Sequence, residues 1–112
     1  MMIVLLRVAF ASVLVAMLCV TSWASSVVAL WSLPREVAAH PWFIATLFDA
    51  YFAFLTFWLW LAWKERSWLP RVAWLVGILL LGNIAMAAYM LVQLFRLPRT
   101  ATLDQLIARR NA

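Results

Sequence analysis

Cysteine and histidine occur once each in the 112 residues, as Cys19 and His40, and glycine only twice, as Gly77 and Gly82. A lone cysteine rules out an internal disulfide, and no histidine or second cysteine stands at a metal-ligand spacing from it. No metal and no cofactor are therefore expected. Both glycines lie inside one apolar stretch, so no glycine-rich phosphate loop is available; they are expected to let helices approach closely. Charged residues make up 12% of the chain, about half the share of a soluble domain. A nucleophile with a histidine base cannot be assembled from this inventory deep in an apolar region. Repeats, low-complexity segments and Gly/Ser linkers are also missing, which leaves a single domain over residues 1–112.

Apolar residues fill the space, at 69% of the chain, and they arrive in three blocks, 2–30, 42–63 and 69–95. Each exceeds or approaches the roughly 20 residues that cross a hydrocarbon layer, and each is too continuous for the core helix of a small globule. The sequence thus predicts an all-α integral membrane protein with three transmembrane helices, located in a cell membrane. Between the first two blocks, WSLPREVAAHP offers Ser32 as a helix cap, Pro34 for a first turn and Pro41 to start the next span. A short interfacial helix and a turn are expected there. His40, ahead of Pro41, takes an interfacial or capping role. KERS and the residues around Trp68 and Pro70 leave so short a connection that the second and third spans form an antiparallel hairpin. In the tail, 96–112, Thr102 and Gln105 make a capping box. It opens a short amphipathic segment with Leu103, Leu106 and Ile107 on one face and Asp104, Arg109 and Arg110 on the other.

Ser22-Trp23-Ala24 resembles a signal-peptidase site, but no charge precedes the apolar run and hydrophobicity resumes through VVAL, so the first span is read as uncleaved. With three spans, Arg7, Lys64, Arg66 and Arg71 fall on one side and Arg35, Arg96, Arg99, Arg109 and Arg110 on the other. The positive-inside rule then gives no orientation. The formal charge of +5 implies attraction to the headgroups of the lipid bilayer rather than to nucleic acid, for which no basic soluble surface exists.

Four of the eight tryptophans sit where spans meet water, with Trp31 and Trp42 at one end and Trp63 and Trp68 at the other, as in an aromatic belt. The polar residues inside the blocks are harder to place. Asp49 lies about 10 Å along the second span, and an ionised aspartate near a span centre costs about 2.5–3.5 kcal/mol. Folding the hairpin about residues 66–67 sets Asp49 level with Asn83, and the first connection brings Ser22 and Ser26 to a similar depth. A polar cluster of Asp49, Asn83, Ser22 and Ser26, with Thr56 and Tyr89 as outer members, is the candidate site. It acts either as glue between helices or, through Asp49, as a proton-accepting or ligand-contacting group.

PWFIATLFDAYFAFLTFWLWLAWKERSW and LLGNIAMAAYMLVQLFRLP resemble a family of small membrane proteins known as Domain of Unknown Function 1475. The matching residues are Pro41-Trp42, Ala45-Thr46-Leu47, Asp49, Tyr51, Trp60, Lys64-Glu65, Ser67-Trp68, Tyr89 and Gln93-Leu94. The resemblance implies the architecture and emphasises Asp49 and Lys64-Glu65, and implies no reaction. For Lys64 and Glu65 the choice is between an ordinary interfacial turn and a link to Arg71 or to another subunit.

Three functions are open at this point. The first is an interaction or assembly subunit, holding to itself as a homo-oligomer or to another membrane protein. The second is a small carrier that must oligomerise to enclose a path. An intramembrane enzyme acting on a lipid or isoprenoid, with Asp49 as general acid, is the third.

Overall fold

The computed structural model describes residues 2–109, and all the regular structure among them is helical. Helix α1, Met2–Val27, contains no glycine or proline and runs for 26 residues. A 3-10 turn, Leu30–Ser32, and a four-residue helix α2, Arg35–Ala38, fill the first connection. Ser32 ends the 3-10 turn instead of capping α2, whose N-cap position is Pro34. Helix α3, Pro41–Lys64, begins as its residues demand. Pro41 occupies the first turn, and the His40 Nδ1 accepts from the Trp42 amide at 3.2 Å.

The third apolar block departs from the expected single span. It forms two helices of 14 residues, α4, Trp68–Leu81, and α5, Asn83–Arg96, separated by Gly82. Gly82 has φ 57° and ψ −123°, a conformation open to glycine and strained for any residue with a Cβ. A Cβ there would also come within 2.8 Å of the Phe54 ring. The chain therefore doubles back, and α5 returns antiparallel along α4. A Cβ on Gly77 would lie 3.8 Å from that of Ala85, and the rings of Trp74 and Tyr89 are 5.1 Å apart. At 1.5 Å per residue each arm is about 21 Å long, short of a hydrocarbon layer of about 30 Å.

The hairpin places α5 at the centre of the molecule. Ala85, Tyr89, Met90 and Leu94 of α5 form the core with Ile3 of α1, Leu61 of α3, Ile78 of α4 and Leu106 of the last helix, α6, Leu103–Ile107. Helix α6 starts with the expected capping box between Thr102 and Gln105. Of its apolar residues Leu106 is buried, while Leu103 and Ile107 stay exposed. Arg110, assigned to the polar face of this segment, lies outside the described residues.

Two helices, α1 and α3, are long and apolar enough to cross a membrane by length and composition, and only 6% of the most apolar stretch of each is buried. The hairpin tip reaches Phe54 on α3, and Asn83 at the start of α5 shares a hollow with Phe10 and Val13 of α1. Packing is therefore concentrated in the half of the molecule that contains the α3–α4 connection.

Candidate functional site

The polar groups that the fold buries gather at the base of the hairpin, not at Asp49. Lys64, Glu65 and Gln93 are the buried polar and charged side chains among the described residues. Lys64 ends α3, and its Nζ donates to the carbonyls of Leu106 and Ala108, each at 2.7 Å. Those carbonyls belong to the end of α6, where a cation meets both unpaired acceptors and the negative end of the helix dipole. The indole Nε1 of Trp60 donates to the next acceptor in that turn, Ile107 O, at 3.3 Å.

Glu65 follows on the extended residue that terminates α3. Its Oε2 accepts from the Tyr89 hydroxyl at 2.7 Å, and its backbone carbonyl accepts from Arg71 Nε at 3.0 Å. Tyr89 is fully buried, with Phe57, Trp60 and Trp74 edge-on around its ring at centroid distances of 6.1, 6.0 and 5.1 Å. One aromatic side chain thus joins α3, α4 and α5, and its polar tip is satisfied by a carboxylate.

The start of α1 is tied in by a second cation. Arg7 Nη2 donates to Leu94 O at 3.1 Å and Leu97 O at 2.8 Å, closing the end of α5, and the guanidinium lies 4.6 Å from the centre of the Phe95 ring. Between Lys64, Gln93, Arg96 and Arg109 the surface opens into a hollow of about 340 Å³ that Gln105 and Leu106 also line. What this end offers chemically is positive charge around a few buried acceptors. Arg7, Lys64, Arg66, Arg71, Arg96, Arg99 and Arg109 lie at it, with Glu65 and Asp104 as the acids among them.

The polar cluster expected from the sequence does not assemble inside this chain. Asp49, Asn83, Ser22, Ser26 and Thr56 are all exposed, and Asp49 makes no hydrogen bond to Asn83. Two physical causes account for this. Two of the three hydroxyls bond within their own helices, Ser26 to Trp23 O at 2.7 Å and Thr56 to Phe52 O at 2.9 Å, and so have no need of a neighbour. The expected register also holds only as far as the hairpin tip, through Tyr51 with Leu79 O and Phe54 with Gly82. Asp49 precedes both Tyr51 and Phe54, the residues that reach the last turn of α4 and the tip, so it sits at the margin of the hairpin, where the third block no longer continues. Tyr89 alone of the six joins a buried polar pair, and its partner is Glu65.

Glu65, Lys64 and Arg71 were marked in the sequence by their place at the connection, and Arg71 does reach Glu65, through the backbone carbonyl. Arg7 carries no signal beyond being a cation in an apolar block, and Gln93 none beyond its place among the residues of the resemblance. For the break, Gly82-Asn83 was the available cue, since glycine followed by asparagine favours a tight reversal.

No curated protein and no solved structure matches the chain. A family model does match, over residues 1–111, and so takes in the first helix and the tail as well as the two stretches whose residues carry the resemblance. Over that length the chain belongs to the family described as protein of unknown function DUF1475.

Proposed function

We propose that this is an integral membrane protein, with α1 and α3 crossing the bilayer and the α4–α5 hairpin entering it from one side, and that it works as an interaction or assembly subunit. The observation that carries the reading is Asp49. It stands exposed on an apolar helix, and no side chain among the described residues pairs with it. A soluble monomer rarely leaves apolar surface as continuous as that of α1 and α3 uncovered, and lipid covers it without further cost. Lipid does not satisfy a carboxylate, whereas a polar group on a second chain does.

Ser12, Ala16, Cys19, Ser22 and Ser26 support the same reading, because they form an exposed stripe of small residues along α1. Such a stripe lets another helix approach closely. The test is purification from membranes in mild detergent, with mass determination and identification of whatever co-purifies. A homo-oligomer or a bound membrane protein that is lost on Asp49→Leu and retained on Asp49→Asn is expected. A monomeric particle whose mass and composition are the same for Asp49→Leu would overturn the assignment.

A further inference from the structure

The reversal at Gly82 changes where the tail lies. Were the third block one span, Arg96, Arg99 and Arg109 would stand at the opposite end from Arg7, Lys64, Arg66 and Arg71. In the fold they stand together. Arg7 bonds Leu97 O, two residues before Arg99, and Lys64 bonds Ala108 O, next to Arg109. At the far end of α3, about 36 Å away by the rise of a 24-residue helix, the described cation is Arg35, and Glu36 follows it.

We infer that this basic end is the surface with which the protein meets the anionic headgroups of the cytoplasmic leaflet. The start of α1, the α3–α4 connection and the tail then share that side, and the α1–α3 connection faces outward. The inference rests on the proposed membrane location. Lysines and arginines near span ends set orientation, and here they are strongly asymmetric, seven against one among the described residues. Clustered cations next to a leaflet of negative surface potential are also attracted to it.

Single-cysteine variants of the full chain in a Cys19→Ser background test this, with Ser32→Cys, Ser67→Cys and Thr100→Cys as reporters, because all three native side chains are exposed. A membrane-impermeant maleimide applied to intact cells is expected to label Ser32→Cys. Ser67→Cys and Thr100→Cys are expected to react only after permeabilisation. Labelling of Ser67→Cys and Thr100→Cys from opposite sides would overturn the inference, since the third block would then cross. Labelling of both from outside would overturn the orientation. Release of the chain from membranes by alkaline carbonate is a different failure, that of the membrane reading itself. For the headgroups, the purified chain in nanodiscs of mixed phosphatidylglycerol and phosphatidylcholine is expected to retain the former selectively in native mass spectrometry. Arg99→Gln with Arg109→Gln should lower that selectivity by about fivefold per charge. Equal retention of both lipids would remove the headgroup assignment.

Discussion

The Tyr89 hydroxyl donates to the Glu65 carboxylate at 2.7 Å, and this bond links the middle of α5 to the residue that stops α3. Because Tyr89 is fully buried, neither group can exchange the other for bulk water without opening the core. Tyr89→Phe is expected to lower unfolding free energy by about 1–3 kcal/mol, the cost of leaving a buried acceptor short of a donor. Tyr89→Ala adds a cavity among Phe57, Trp60 and Trp74 and should cost about 3–5 kcal/mol. Thermal or denaturant unfolding in detergent measures both, and a Tyr89→Phe variant as stable as the parent would remove the bond's importance.

The two glycines should respond in opposite ways. Gly82→Ala forces a Cβ into a backbone conformation that L residues rarely adopt and against the Phe54 ring, and should destabilise the fold by about 1–3 kcal/mol. Gly77→Ala meets only ordinary contact with Ala85 and gains helix propensity, so it should be neutral or stabilising by up to about 1 kcal/mol. Melting curves of the pair decide it. Pairing Gly82→Ala with Phe54→Ala should recover little, because the backbone strain remains.

Lys64 holds the last helix in place. Lys64→Met keeps much of the side-chain volume and removes both bonds to the carbonyls of Leu106 and Ala108. The expected result is faster amide hydrogen exchange and earlier proteolysis across residues 103–108, with the exchange of α1 and α3 unchanged. Uniform loss of protection throughout the chain would mean instead that Lys64 supports the whole fold.

Asp49 separates the three functional readings. An asparagine still donates and accepts, so an assembly contact survives Asp49→Asn, while proton transfer does not. The expected outcome is an unchanged complex mass with Asp49→Asn and a reduced one with Asp49→Leu. A complex indifferent to both, together with loss of cellular function on Asp49→Asn, would favour a proton-coupled carrier or an acid catalyst.

Much of this architecture can be read from the chain, and the exceptions have physical reasons. The starts of α3 and α6 are legible because His40-Pro41 and Thr102 with Gln105 carry their own capping chemistry. The α3–α4 register is legible because a short connection leaves little freedom. The break at Gly82 is not, since hydropathy is high on both sides of it and a single glycine inside a span more often serves close packing, as Gly77 does. The break displaces Asn83 and detaches Asp49 from its expected partner. The buried pair of Glu65 and Tyr89 escaped for the same reason, because only a returning α5 brings residue 89 back to residue 65.

Gly82 therefore has a consequence well beyond its own turn. A helix wound without interruption from residue 69 to 95 would deliver the tail about 40 Å away, to the end that holds Arg35. With the reversal, Leu97 lies against Arg7 near the start of α1, and Ala108 lies against Lys64 at the end of α3. On the proposed membrane reading, the parity of the fold, an even count of traverses instead of an odd one, hangs on one residue without a side chain, and so does the side on which the tail stands.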